Sequence, residues 1–284
     1  MTEKEKIQKP VEELPIVEEE KIKIEKETIE VPAGKDLVEA KPLSADLEAW
    51  KPKTALGKQV RSGEVTDIDI ILDSGKRILE PQIAEMLLPN AQKELLLIGQ
   101  SKGKFGGGSR RIFKQTQKKT PEGNNPSFAC FAVVGNEDGY VGGGFGKSKD
   151  TVPAREKATR NAKLNIFKIR RGCGSWECGC KTPHSIPFEV SGKCGSVKIK
   201  LMPAPKGKGL CIEPECAKIL KLAGIKDVWS KTFGQTRVKT NLVKACVAAL
   251  KKLMKVKVNQ NKYAALGIAE GVSTTVTHEE EKNE

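Results

Sequence analysis

Three cysteines and one histidine, Cys173, Cys178, Cys180 and His184, fall within twelve residues of the segment GCGSWECGCKTPH, and Cys194 follows ten residues later. Thiolate sulfur and imidazole nitrogen are the donors that surround a zinc ion tetrahedrally. The segment is therefore a candidate zinc site, with Cys194 as an alternative to His184. The same side chains also read as reduced thiols gathered at a junction, with His184 capping a turn or contacting nucleic acid. The other four cysteines, Cys130, Cys211, Cys216 and Cys246, sit at apolar strand or helix positions and are expected to be buried as small hydrophobes.

A second constellation is YVGGGFGKSKD, residues 140–150. Gly146-Lys147-Ser148 supply the end of a nucleoside-triphosphate loop, but the first glycine of G-x-x-x-x-G-K-[ST] falls on Val141. What precedes it reads as two strands joined by a tight turn at Asn136–Gly139, where such a loop needs one strand running directly into a helix. Catalysis finds little else to use. The chain has two histidines, one of them His278 in an acidic tail, and no carboxylate pair stands near the glycines. The expectation is a protein that is not an enzyme, with a nucleotide-hydrolysing RNA remodeller as the reading set aside.

The elements around these residues are expected to display charge. The 284-residue chain carries a net +14, distributed unevenly. Residues 1–40 hold seven lysines against twelve acidic residues, residues 264–284 one against five, and the interval 41–263 carries a net +23. A field of that size over one region points to a polyanion, and double-stranded nucleic acid is the obvious one. No apolar run approaches the ~18 residues of a membrane span, and MTEKEKIQKP lacks the apolar core of a signal peptide. The cysteines are then expected to stay reduced.

The division expected along the chain is a disordered Lys/Glu-rich tail over 1–45, an ordered arm over 46–92 and a first domain over 93–172. A Cys-rich junction over 173–185, a second domain over 186–255 and a tail over 256–284 follow. In the arm, a short helix is predicted around Pro81–Leu88. KELLLIGQ reads as a strand, the basic glycine-rich stretch through Ser127 as a long loop, and Phe128–Gly135 with Tyr140–Gly144 as a hairpin. TVPAREKATRNAKLNIFKI is the clearest helix, capped by Asp150 or Thr151, with Pro153 in its first turn. Ala154, Ala158, Ala162 and Ile166 form a small-residue stripe suited to close packing on a sheet. Its charges point elsewhere, and Arg160 and Lys163 read either as a solvated face or as contacts. In the second domain IPFEV, GSVKIKLMPAP and GLCI read as strands, with Val197, Ile199 and Leu201 inward. PECAKILKLAGI and TNLVKACVAALKKLM read as helices, the latter burying Val243, Cys246, Val247 and Leu250. The fold class is α+β.

A glycine hairpin leading into a helix N-terminus offers bare backbone, lysines and free N–H groups to phosphate. It resembles a double-stranded-RNA-binding domain, and Gly142, Gly144, Lys147, Lys149 and Arg155 are the expected contacts there. With GKCGSVKIKLMPAPKGKGL, AGIKDVWSKTFGQTRVKTNLVKA and WKPKTALGKQVRSGEV, the chain resembles the fifth small-subunit ribosomal protein family, in its archaeal and eukaryotic branch, whose eukaryotic member is called S-two. The resemblance covers about residues 50–255.

It implies a structural protein of the small ribosomal subunit in the cytoplasm, bound to ribosomal RNA and active in assembly and translational accuracy. It implies neighbours of the S-four and S-eight families and a place near the messenger RNA entry path. It also implies a left-handed βαβ crossover in the second domain, against the usual hand. The family's first basic loop corresponds to Ser109-Arg110-Arg111, and Arg110, Arg111, Lys114, Lys118 and Lys119 are the phosphate contacts expected there. Lys206, Lys231 and Arg237 complete the set. An RNA binder working off the ribosome is the alternative. Trp50, Trp176 and Trp229 read as packing residues first and base-stacking residues second.

Overall fold

In a computed structural model, the protein is described over residues 50–101 and 110–271, with the side chains of Gln260 and Asn261 excepted. The expected N-terminal tail, Ser109 and His278 lie outside these residues.

The arm holds three short helices, α1 (Ala55–Ser62), α2 (Ile68–Asp73) and α3 (Pro81–Leu87). Only the last was predicted. Thr54 caps α1 by accepting from the Gly57 amide at 3.1 Å, and Gly63 closes it with φ 81°. The arm is ordered by its own small core, in which Trp50, Val60, Ile68, Ile71, Ile78 and Ile83 pack with Tyr140 and Ile166. Glu80 ties its start together, accepting from Trp50 Nε1 at 2.8 Å, the Lys53 amide at 2.9 Å and the Thr54 amide at 2.7 Å.

The first sheet runs β1 (Gln92–Leu95), β3 (Gly123–Gly135), β4 (Tyr140–Ser148) and β5 (Ile166–Lys168), all antiparallel, and β2 (Lys114–Thr120) also pairs with β3. The thirteen residues of β3 serve two partners in turn: Gly123–Ala129 face β2, and Ala132–Gly135 face β1. From Lys114 on, the basic stretch expected to be a loop through Ser127 is therefore a hairpin. The strand read in KELLLIGQ is shorter and starts earlier, and both hairpin strands run longer than expected.

Helix α4 (Thr151–Leu164) follows β4; Asp150 stands at its N-cap position without a side-chain capping bond. The predicted helix ran through Ile169. It stops at Asn165, because Ile166–Lys168 pair with Tyr140–Gly142 as β5. Ile166 thus belongs to the strand, not to the helical stripe.

After β6 (Arg170–Arg171), a second sheet orders β7 (Val190–Cys194), β8 (Val197–Pro203), β10 (Val228–Phe233) and β9 (Leu210–Cys211). IPFEV was expected to be the first strand. Instead Ile186 is core and pairing begins at Val190, opposite Leu201. Strands β9 and β10 are parallel and joined through α5 (Pro214–Leu222). Val197, Ile199 and Leu201 are fully buried, as their alternation required. The long helix α6 (Lys239–Lys255) buries Val243, Cys246 and Leu250 and half-buries Val247. The chain read as tail from 256 onward forms α7 (Gln260–Leu266) and β11 (Ala269–Glu270), the latter paired with β6.

The two faces of β3 are used differently. Cys130, Ala132 and Val134 meet Ala154, Ala158 and Ala162 of α4. Phe131 and Val133 join Ile219, Leu220, Val243 and Cys246 in the largest core cluster. Cys130, Cys216 and Cys246 are buried as expected; Cys211, on the two-residue strand β9, is exposed.

Candidate nucleic-acid interface and metal centre

Strand alternation decides which glycines can face a ligand. On β4, residues 142, 144 and 146 share one face, and it is the face under α4. A Cβ built on Gly144 would lie 2.2 Å from the Ala162 nitrogen and 2.3 Å from the Ala158 oxygen, and one on Gly142 would lie 2.3 Å from the Ala162 oxygen. Gly142 and Gly144, expected to present backbone to phosphate, are buried against the alanine stripe. The glycines exist so that strand and helix backbones can approach closely. The opposite face of β4 carries Phe145 and Lys147, both exposed.

The cations expected to meet phosphate are largely where exposure is needed. Arg111, Lys114, Lys118, Lys119, Lys147, Lys149, Arg155, Lys206, Lys231 and Arg237 are exposed, and none forms an ion pair among the described residues. Ladder register brings two of them together: Lys114 and Lys147 both pair with Ala129, from opposite sides of β3. Arg110 is half-buried, and its Nη1 donates to the Gly99 carbonyl at 3.2 Å. Lys231 lies 6.0 Å over the Phe233 ring. Lys163 differs from Arg160: it is nearly enclosed and ion-paired with Glu85, while Arg160 is exposed.

Sequence reasoning missed two basic–aromatic pairs along the first sheet, one of them on Phe145, two residues from Lys147. Lys244 stands 5.4 Å from the Phe145 ring centroid and Lys251 stands 5.0 Å from that of Phe167. The signal was present, since these lysines are seven residues apart on one helical face. Its ring partners, on β4 and β5, are distant in sequence. A groove of about 940 Å³ also lies between the β3–β4 turn and the following loops, with Lys206, Lys221, Lys226 and Arg171 among its lining residues.

The ligand atoms of Cys173, Cys178, Cys180 and His184 all lie within 4.8 Å of one another. Cys173 Sγ and Cys180 Sγ are 3.6 Å apart, and Cys178 Sγ is 3.8 Å from His184 Nε2. A tetrahedron with ~2.3 Å metal–sulfur bonds has edges of ~3.8 Å, so the cluster has the size a zinc ion requires. His184 is buried, and its Nδ1 is 2.8 Å from Asp227 Oδ2, which leaves Nε2 turned toward the thiols. Burial, with the neighbouring thiols, pushes the Cys173 thiol up to about 11. Hydrogen bonding from Thr182 lowers Cys180 to about 6. Cys194, weighed as a substitute ligand, packs against the main core instead. Between two ligands, Trp176 is 88% exposed; Trp50 is buried and Trp229 half-buried.

Comparison with known proteins fits this architecture. Residues 112–170 match the family profile described as Ribosomal protein S5, N-terminal domain, and residues 192–263 match Ribosomal protein S5, C-terminal domain. A Small ribosomal subunit protein uS5 from Nanoarchaeum equitans is 49% identical over 226 residues, covering 80% of this chain and 97% of that protein. Its namesake from Methanocaldococcus jannaschii is 45% identical over the same length, with the same coverage. One from Pyrobaculum calidifontis is 48% identical over 206 residues, 72% of this chain and 95% of its own. The fold is a mixed α+β one built around a basic surface, of the kind that RNA-binding structural proteins present. The chain belongs to the ribosomal protein S5 family. Among the described residues no helix is long and apolar enough to cross a membrane.

Proposed function

We propose that this chain is a non-enzymatic structural constituent of the small ribosomal subunit, held in the cytoplasmic ribosome by its ribosomal RNA. One observation carries this: ten exposed lysines and arginines have no acidic partner among the described residues. Unpaired surface cations are what a phosphate backbone neutralises, and each phosphate so neutralised releases counterions. The names of the relatives support the ribosomal assignment.

Finer assignments rest on the family resemblance. The first domain, 93–172, acts as a double-stranded-RNA-binding-like module. The second, 186–255, uses a left-handed crossover at β9–α5–β10. The Cys-rich segment 173–185 is the junction between them. Members of the S-four and S-eight families are its neighbours, and the messenger RNA entry path is nearby. Arg111, Lys114, Lys118, Lys119, Lys147, Lys149, Arg155, Lys206, Lys231 and Arg237 contact RNA phosphates. Arg110 takes part only on the side of its guanidinium left free by the Gly99 carbonyl.

The Cys/His cluster holds zinc through Cys173, Cys178, Cys180 and His184. The size of the cluster and the Asp227-bound imidazole support this. Zinc supplies a cross-link to a segment that has few apolar side chains of its own.

The test of the ribosomal reading is incorporation. A chain carrying Lys147→Glu and Arg155→Glu should sediment with small subunits far less than the unaltered chain, with the defect growing as salt is raised. Undiminished, salt-resistant incorporation, or an unaltered chain that never enters the subunit, would count against the reading.

A further inference from the structure

Asp227 stands between the segment that carries His184 and the loop that ends at Gly209, and its side chain bonds to both. Its Oδ2 meets His184 Nδ1 at 2.8 Å, and its Oδ1 accepts from the Gly209 amide at 2.7 Å. It is 4% exposed, so both bonds are shielded from water. The backbone repeats the link: the His184 carbonyl accepts from the amides of Lys226 at 2.8 Å and Asp227 at 3.1 Å. Ser185 Oγ donates to the Asp227 carbonyl and accepts from the Ala204 amide at 3.3 Å.

Gly209 ends the loop Pro205–Gly209, which exposes Lys206 and Lys208. No neighbouring atoms hold the two glycines of this loop in place. Gly207 and Gly209 have φ 87° and 75°, and a Cβ on either would meet nothing within 4 Å. Three hydrogen bonds fix the loop's backbone. They are the Lys208 amide to the Pro205 carbonyl at 3.3 Å, the Val228 amide to the Gly209 carbonyl at 3.2 Å, and the Gly209 amide to Asp227. The last is the shortest and the only one made to a charged group, the stronger kind of bond.

We propose that Asp227 is the positioning residue of the metal centre, and that metal bound at Cys173, Cys178, Cys180 and His184 fixes the lysine loop 205–209 through it. A metal-bound imidazole must carry its proton on the other nitrogen and aim it at an acceptor. That acceptor is Asp227 Oδ2, and the orientation imposed on the carboxylate also sets Oδ1 against the Gly209 amide. Removing the metal releases the His184 ring from one of its two anchors and loosens the loop. The proposal rests on the zinc reading, and its test separates the two.

The experiment uses the full chain. Zinc content is measured first, for the protein as purified and for Cys178→Ser. Amide hydrogen exchange is then compared with and without a chelator. Zinc-loaded protein should hold one ion, and Cys178→Ser should lose it. Chelation should speed exchange at Gly209 at least tenfold while Ala132–Val134 in β3 stay protected. Asp227→Asn should bind zinc about 10- to 100-fold more weakly and exchange at Gly209 like the chelated protein even at saturating zinc. A protein with no zinc removes both the zinc reading and the proposal. Zinc bound with Gly209 exchange unchanged on chelation, or Asp227→Asn matching the unaltered affinity, overturns the proposal and leaves the zinc site standing. Exchange that rises throughout the chain on chelation also overturns it, because the metal would then support the whole fold and not this loop. The chelation arm needs no variant to fold.

Discussion

At Gly142, Gly144 and Gly146 the sequence invites one interpretation and the structure gives another. A cluster of glycines followed by a lysine looks like backbone awaiting a phosphate. The alternation of β4 assigns all three to the side where Ala154, Ala158 and Ala162 press in. Both halves of that packing were visible in the chain, the alanine stripe as a helix face and the glycines as a run. Nothing local says that one is the partner of the other. Gly192 repeats the device on β7, where a Cβ would lie 2.0 Å from the Ala245 oxygen of α6. Gly144→Ala should therefore destabilise the protein by about 3 kcal/mol or more, since the added methyl meets backbone that cannot move aside alone. Gly207→Ala is the contrast: its φ of 87° is strained for alanine but the space is open, so a loss of about 1 kcal/mol is expected. Denaturant midpoints of the two variants check the order; equal losses would mean that α4 does not depend on these glycines.

Elements with an apolar face were legible and elements without one were not. Strand β8 buries the residues its periodicity selects, and helix α6 does so for all but Val247, which is half-buried. Strand β2 has six exposed residues of seven, so no pattern distinguishes it from a loop. Its partner segment contains Pro126, which argues against a strand. The half of β3 from Gly123 to Ser127 pairs with β2 alone, and an edge position tolerates a residue with no N–H to give. The arm's helices α1 and α2 escaped notice because each is short and completes its core only with Tyr140 and Ile166, far away in the chain. An exposed hairpin bearing three lysines contributes charge more than core. Changing Lys114, Lys118 and Lys119 to glutamate should leave the thermal midpoint nearly unchanged while weakening RNA binding. The slope of log K against log salt should become shallower by about 0.9 for each phosphate no longer neutralised. Binding titrations at several salt concentrations read this directly; an unchanged slope would place these lysines away from phosphate.

Across the whole molecule, the charge distribution foretold a polyanion partner, and the cations are displayed on the surface accordingly. Missing from that reading were the two arginines that face inward. Arg170 and Arg171 form β6 and are almost wholly buried. Arg170 Nε pairs with Glu270, its Nη1 donates to the carbonyls of Leu253 and Val256, and Arg171 Nη2 donates to the Gly271 carbonyl at 2.9 Å. Tyr263 OH donates to the same Glu270 oxygen at 2.8 Å. The segment after α6, too polar to suggest structure, is thus recruited by buried positive charge from the middle of the chain. Such a pair adds little beyond what apolar packing would give, but removing one partner strands the other in a low-dielectric site. Glu270→Ala should cost about 3 kcal/mol, and Glu270→Gln less, because the amide oxygen still accepts from Tyr263 and Arg170. Exchange protection at Ala269 and Arg171, whose strands pair, should fall with the alanine change before that of β3 does. Equal protection in both variants would mean that strand pairing alone closes the C-terminal segment and that the arginines are satisfied elsewhere.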